Sequence, residues 1–66
     1  MSVITTQIVK IKPGDIIYQI HPFIVLNNTY LPNFSPLSYK LTILNSWSHV
    51  IEIICAYDQY YDLLVV

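Results

Sequence analysis

The sequence predicts an all-β protein in which residues 1–66 form one domain, folded as a small five-stranded barrel or sandwich. The first observation is the turn Lys12-Pro13-Gly14-Asp15, where proline presets φ at the second position and glycine accepts positive φ at the third. The second is the isoleucine-rich run on each side of this turn, because β-branched residues favour strands. We therefore expect two strands, residues 7–12 and 15–20, joined by a tight reversal.

The segments before and after this pair continue the β pattern. Residues 1–6 are polar and β-branched, and we expect them to be either frayed or an edge strand. His21-Pro22 predicts a bend or bulge, because proline cannot donate to a strand ladder. Residues 23–26 are all apolar, as in a short strand buried on both faces, and Asn27 and Asn28 are expected to end it.

Residues 27–38 form the longest predicted loop and contain two prolines. Loops of this length are often functional. Two interpretations remain open for its large side chains. They form a binding surface, or Tyr30, Phe34 and Leu37 fold back and plug one end of the core.

The next segment gives the clearest strand prediction. Residues 39–44 alternate between an apolar face and a mixed one, as a half-buried strand does. Asn45-Ser46 is a turn signal. Trp47, the only tryptophan, is expected to anchor the core or an interface.

Residues 48–57 fit both a strand and an amphipathic helix. The dense β-branching of residues 50–54 favours the strand. The alternative is an α+β fold with a helix at about residues 47–61. Residues 58–62 are then expected to form a polar, aromatic turn, and residues 63–66 a last strand.

The composition predicts a surface that is covered by another protein. Hydrophobic residues make up 55% of the chain and charged residues only 11%, whereas soluble domains carry about 25% charged residues. A domain of this size has little interior, so the missing charge exposes apolar surface. A single cysteine cannot form an internal disulfide. We therefore expect a protein partner, either a homo-oligomer or a larger assembly.

The charge pattern argues against nucleic-acid and membrane-surface binding. The net charge is −1, with three lysines and no arginine, whereas nucleic-acid binders present a basic face. No signal peptide is recognisable, and prolines interrupt the longest uncharged run, so no membrane span is predicted. We expect a cytoplasmic or virion protein. The enrichment in isoleucine, tyrosine and asparagine indicates an AT-rich genome and favours a viral protein.

A catalytic or metal-binding set is not recognisable in the sequence. One glycine cannot build a phosphate-binding loop. His49 and Cys55 are about 20 Å apart on a strand that rises roughly 3.3 Å per residue. Cys55 is expected to be buried and inert, and the histidines and acids lack zinc-site spacing. The sequence therefore predicts no enzyme, no metal and no cofactor.

One stretch resembles a known family of small barrels. Gly14-Asp15-Ile16-Ile17-Tyr18, followed by His-Pro-Phe-Ile-Val-Leu-Asn at residues 21–27, resembles the opening of MazF/PemK-type toxins. The resemblance covers residues 10–28 and implies an SH3-like barrel related to RNA-cleaving proteins. The chain departs from the family pattern, because His21 stands in place of the catalytic arginine and Asn27 lies near the Ser/Thr position. These departures weigh against RNA cleavage.

A second stretch is similar to part of the peptide-binding SH3 domains. Cys55-Ala56-Tyr57-Asp58 is similar to their Ala-Leu-Tyr-Asp run, although that run belongs near the start of an SH3 domain. An aromatic groove that docks proline-rich segments is the third functional hypothesis. Its candidate residues are Trp47, Tyr57, Tyr60 and Tyr61.

The function predicted from the sequence is a non-enzymatic protein–protein interaction or self-assembly module. The low charge and the missing catalytic set are its basis. Its candidate interface residues are Tyr30, Phe34, Trp47, Tyr60 and Tyr61. The alternative is a nucleic-acid-binding small barrel related to MazF/PemK-type toxins, for which Lys10, Lys12 and His21 are the candidate contacts.

Overall fold

A computed structural model describes residues 2–65 of the chain, and these residues form six β-strands and one turn of 3-10 helix. The 3-10 turn lies between the first two strands. The elements in chain order are β1 (Ser2–Gln7), the 3-10 turn (Ile8–Lys10), β2 (Ile16–Tyr18), β3 (Pro22–Leu31), β4 (Ser38–Leu44), β5 (Val50–Ala56) and β6 (Tyr60–Val65). The all-β prediction is confirmed. The alternative helix at about residues 47–61 is wrong, because these residues supply β5 and the start of β6.

The six strands form one antiparallel sheet in the order β1-β6-β2-β3-β4-β5. Within residues 2–65 the sheet is open, and β1 and β5 are its two edges. The structure therefore differs from the predicted five-stranded barrel or sandwich in strand number, and it also differs from a barrel in closure. β1 is the added strand, and it agrees with the edge strand that is one of the two possibilities predicted for residues 1–6, of which Met1 lies outside the described residues.

The sheet curls strongly although it does not close. β5 and β6 follow each other in the chain, yet β2, β3 and β4 lie between them in the sheet. In a flat sheet this separation would be about 19 Å, at about 4.8 Å per strand. Residues 57–59, which join the two strands, span about 14 Å at most. The short connection therefore forces the sheet to bend, and Cys55 of β5 contacts Tyr61 of β6 across the concave side.

The turn at Pro13-Gly14 forms as predicted, but its two arms do not pair. Asp15 N donates to Lys12 O over 3.1 Å, and Gly14 has φ 94°. The strand predicted over residues 7–12 is wrong. Ile8 and Ile11 are both buried. A strand would place them on opposite faces, whereas a 3-10 turn places residues i and i+3 on one side.

β3 is much longer than the sequence predicted. Asn27 and Asn28 do not end it, because a register shift between Val25 and Asn27 accommodates an extra residue, Leu26, and the ladder continues to Leu31. The bend predicted at His21-Pro22 is confirmed, because residues 19–21 form the bend between β2 and β3, whereas the bulge at Leu26 is a separate feature that the sequence did not predict. Beyond the bulge, Asn28 lies opposite Leu41 of β4 and faces the core.

The core lies on the concave face of the curled sheet. β4 forms over the predicted range and supplies the centre of the core, where Leu41 is fully buried. Cys55 is buried, as expected. The buried apolar residues are Ile8, Ile11, Ile17, Val25, Leu41, Ile43, Cys55 and Leu63.

Asn28 holds the 3-10 turn against this core. Its Nδ2 donates to the carbonyl oxygens of Ile8 over 2.9 Å and of Ile11 over 2.8 Å. These carbonyls belong to a segment outside the sheet, and buried backbone groups without partners are costly. One side chain therefore satisfies two carbonyls of the segment that carries two core isoleucines.

Asn28→Ala tests this role, because it leaves the Ile11 carbonyl without the Asn28 donor and leaves the Ile8 carbonyl with only its bond from Ile11 N. We expect the free energy of unfolding in urea to fall by about 2 kcal/mol. Asn33→Ala is the control, since Asn33 is exposed in the β3–β4 loop, and it should change stability by less than about 0.5 kcal/mol. Equal effects of the two substitutions would contradict the assigned role.

Candidate docking surface

The concave face of the sheet contains a small apolar pocket with a volume of about 100 Å³. It is bounded by side chains from β2 to β6. Ile51, at its rim on β5, is 36% exposed, so the pocket is reached from the open side of the sheet. The lining residues are Ile17, Gln19, Phe23, Leu41, Ile43, Ile51, Ile53 and Tyr61. Such a lining suits apolar groups and offers few polar atoms for orienting a substrate.

A second, shallower depression of about 270 Å³ continues from the first. Its lining residues are Gln19, Ile20, His21 and Phe23, and Gln19 and Phe23 belong to both depressions. Ile20 is 89% exposed at the tip of the β2–β3 hairpin. The two depressions together form one apolar trough, which runs from β5 to this hairpin tip.

An aromatic contact joins two hairpin tips beside the trough. The rings of His21 and Trp47 meet edge to face, with centroids 5.2 Å apart. The Asn45 side chain shapes the turn that presents Trp47, because its Oδ1 accepts hydrogen bonds from the backbone N of Trp47 over 2.9 Å and of His49 over 2.8 Å. Trp47 remains 63% exposed, so the turn holds a large aromatic side chain in contact with solvent.

The convex face carries an apolar row across four neighbouring strands. The register pairs Ile16 with Ile24, Ile24 with Leu44, and Leu44 with Val50. Ile24 is 45% exposed and Val50 is 61% exposed. The convex face of a one-layer antiparallel sheet normally meets water and is polar. We call Ile16, Ile24, Leu44 and Val50 the outer row.

The next positions along the convex face are polar. Thr42 and Glu52 form the adjacent cross-strand pair, and Lys40 Nζ lies 3.4 Å from Glu52 Oε2. Both partners of this ion pair are largely exposed, so it contributes little to stability. It gives the outer row a charged border.

The open edge of β5 presents unpaired backbone groups. Tyr57 N donates to Leu37 O, and Asn45 N donates to His49 O, so the odd-numbered residues of this ladder bond to β4. Neighbouring residues of a strand direct their N–H and C=O groups to opposite sides. The backbone groups of Val50, Glu52 and Ile54 therefore point away from β4, toward the open edge.

The residues predicted to form an interface do not come together in one place. Trp47 and Phe34 lie beyond opposite ends of β4, which is about 20 Å long. Tyr60 is 59% exposed on β6, whereas Tyr61 packs against the core. Tyr30 is 48% exposed and packs against the ring of Tyr39, at a centroid distance of 5.3 Å.

The buried plug considered for the loop after β3 is not observed. Tyr30, Phe34 and Leu37 are all about half exposed. The loop itself is shorter than predicted, because β3 extends to Leu31 and β4 begins at Ser38.

The three residues considered for nucleic-acid binding lie in two separate connections. Lys10 and Lys12 lie between β1 and β2, whereas His21 lies at the β2–β3 tip against Trp47. Lys12 Nζ is 3.9 Å from Asp15 Oδ1, so part of its charge is offset locally. No group of three or more metal-ligating side chains is assembled within residues 2–65.

The side chains of Tyr61 and Cys55, which are both titratable, form a polar contact inside the concave face. The Tyr61 hydroxyl lies 2.9 Å from Cys55 Sγ, within hydrogen-bonding distance. Burial raises the pKa of Tyr61 from 10.0 to about 12, and the hydrogen bond and the charge of Cys55 act in the same direction. The pair is a structural contact at the wall of the pocket.

Comparisons with known protein families, curated proteins and solved structures find no match to this chain. Among the described residues, no helix has the length and apolar character needed to cross a membrane.

The raised pKa of Tyr61 predicts a specific behaviour at alkaline pH. In a titration followed by phenolate absorbance, we expect one tyrosine to ionise near pH 12. Because the folded pKa lies above the unfolded value of 10.0, this group's contribution to stability is complete below pH 10 and is lost as the pH rises toward 12.

Tyr61→Phe should remove this late ionisation, whereas Tyr60→Phe, which removes an exposed neighbour, should retain it. A late ionisation that survives in Tyr61→Phe would disprove the assignment.

Proposed function

We propose that this protein is a non-enzymatic interaction module that self-associates, or docks on another protein, through its exposed apolar surface. The observation that carries the proposal is the outer row. It places four aliphatic side chains side by side across four strands, on the face that meets water. Contiguous exposed apolar surface of this kind is typical of protein interfaces.

The surroundings of the outer row fit an interface. Lys40 and Glu52 border it on the same face, and interfaces commonly combine an apolar centre with a polar, solvent-accessible rim. Trp47 follows the end of β4 and precedes Val50 by three residues. Tryptophan in an exposed position is enriched among residues that dominate binding energy.

The exposed surface area of the molecule can be compared with the area that a typical interface buries. The described chain exposes 4492 Å², and a standard interface buries about 800 Å² on each partner. Such an interface would cover roughly one-sixth of the surface, which is more than the outer row provides. The proposal therefore includes two further exposed side chains, Trp47 in the β4–β5 turn and Ile54, which lies beyond Glu52 on β5.

The remaining predictions from sequence accompany this proposal. We expect no enzymatic activity, because no catalytic set is recognisable in the sequence, and a cytoplasmic or virion location. The low charge favours assembly. A viral origin stays a prediction. The SH3-like and toxin-like resemblances also stay predictions. The nucleic-acid alternative has less support, because His21 lies in a different connection from Lys10 and Lys12.

Val50→Lys tests the proposed surface, because a charge at the β5 end of the outer row would have to be desolvated on association. The solution mass, measured by light scattering over a range of concentrations, should exceed the 7.7 kDa of one chain for the unmodified protein. The variant should need at least roughly tenfold more protein to associate, equivalent to about 1.4 kcal/mol.

Val3→Lys is the matched control, because Val3 is also an exposed valine on the convex face but lies on β1, at the other edge. It should associate as the unmodified protein does. Self-association that is unaffected by Val50→Lys would contradict the proposed surface. A monomer at every concentration would contradict self-association.

A further inference from the structure

We infer that the partner at the open edge of β5 is a second copy of this chain, paired antiparallel to β5 about a two-fold axis at Ile53. This inference rests on the proposed function and names the partner and the alignment. Unpaired strand edges are templates for pairing with another strand. Three features of β5 support the inference: its unprotected edge, the outward direction of its backbone groups, and the position of Glu52, its one charged residue.

The β5 edge lacks the features that protect natural strand edges. Such edges are commonly short, bulged, or interrupted by proline or lysine. β5 has seven residues, its ladder with β4 is regular from Val50 to Ala56, and Glu52 is its only charged residue. The other edge strand, β1, also has a regular ladder and no charge, but it is shorter and is polar at four of its six positions. β5 is therefore the longer and more apolar of the two edges.

The backbone groups at this edge suit an antiparallel partner. Those of Val50, Glu52 and Ile54 point outward, as the ladder with β4 requires. A two-fold axis perpendicular to the sheet brings the outward-pointing backbone groups of a second copy to face them. It also keeps the convex side of one copy next to the convex side of the other, as an isologous interface requires.

The charge of Glu52 selects the alignment. If the axis passes through Glu52, the two carboxylates lie directly opposite each other, which is destabilising, and five of the seven residues overlap. If it passes through Ile54, five residues overlap again. If it passes through Ile53, all seven residues overlap, and Glu52 of each copy lies opposite Ile54 of the other.

Shifts by a single residue are excluded on other grounds. Side chains alternate between the two faces of a strand. A one-residue slip would place a convex-face residue such as Ile54 opposite a concave-face residue such as Ile53, which disrupts pairing at a half-buried sheet. The axis through Ile53 is therefore the alignment that the edge favours.

This pairing would extend both apolar surfaces of the molecule. On the concave side, Ile51 and Ile53 line the trough and are partly exposed at its rim. Pairing places Ile53 beside Ile53 of the second copy. On the convex side, Val50 at the end of the outer row lies opposite Ala56 of the second copy. The two curled sheets become one continuous sheet.

Opposite charges at position 54 test both the interface and its alignment. In the dimer, residue 54 faces Glu52 of the second copy twice by symmetry. Ile54→Lys should therefore associate more tightly than Ile54→Glu, by roughly tenfold for two cross-strand charge pairs. The readout is the dimer dissociation constant from sedimentation equilibrium.

The two substitutions at position 54 should change folding stability in the opposite order to association. A change in association can therefore be distinguished from misfolding. Position 54 lies opposite Lys40 of β4 in the same chain. Ile54→Glu therefore gains an attractive neighbour within the monomer, and Ile54→Lys gains a repulsive one. Weaker association of Ile54→Glu thus cannot be explained by a less stable fold, and urea denaturation of each variant checks this directly.

Glu52→Gln provides the test of alignment. With the carboxylate removed, the affinities of Ile54→Lys and Ile54→Glu should become equal within about twofold. A tenfold difference that persists in the Glu52→Gln background would overturn the alignment about Ile53.

Val3→Glu and Val3→Lys are the matched controls at the β1 edge. Val3 is 51% exposed and Ile54 is 55% exposed, and both lie on the convex face. Ile8 N donates to Gln59 O, so the backbone groups of Val3 also point outward. The two Val3 variants should dimerise equally. A difference between them, with none between the Ile54 variants, would place the interface at β1 and overturn the inference.

The outcomes separate the inference from the proposed function. Self-association with equal affinities for Ile54→Lys and Ile54→Glu overturns the β5 pairing and leaves the interaction module standing. A monomeric unmodified protein at every concentration overturns self-association itself, and the β5 pairing with it.

Discussion

Two hydrogen bonds from the Asn28 side chain anchor the segment that completes the core. They join β3 to the 3-10 turn, the segment that carries the buried Ile8 and leads to the buried Ile11. The bulge at Leu26 makes this possible, because it sets Asn28 opposite Leu41 on the core side. A polar side chain in a small core thus fixes a segment that has no strand partner.

The sheet curls because residues 57–59 connect β5 to β6 over a short distance, and it stays open because β1 and β5 do not pair within the described residues. β2 pairs with β6 through Ile17 and Leu63 alone, so the β1–β6 pair is connected to the other strands by one bridge. The opposite end of the sheet, at β5, keeps its outward backbone groups. The trough lies on the concave side that the curl creates.

The sequence predicted the local features and missed those that depend on register. The turn at Gly14, the strand β4 and the strand assignment of β5 were predictable, because each rests on residue types within a short window. The 3-10 turn was missed because Ile8-Val9-Lys10-Ile11 has strong β propensity, and burial of both isoleucines overrode it. The bulge in β3 was missed because asparagine usually ends strands.

The candidate site was predicted only in general character. Low charge indicated an exposed apolar surface, and Trp47 is exposed in the structure. The outer row was not predictable, because Ile16, Ile24 and Leu44 become neighbours only through the pairing of separate strands. Tyr61 was assigned to the surface with its neighbour Tyr60, but alternation along β6 turns it toward the core.

In the proposed dimer, the β5 edge of one molecule is covered by a second copy. Amide hydrogen exchange, followed by NMR residue by residue at low and high protein concentration, distinguishes the open edge from the covered one. The amides of Val50, Glu52 and Ile54 should exchange rapidly in dilute protein and slowly in concentrated protein. The amides of Ile51 and Ile53, which bond to β4, should be protected in both. Equal exchange rates of the Val50, Glu52 and Ile54 amides at the two concentrations would rule out pairing of a second copy at the β5 edge.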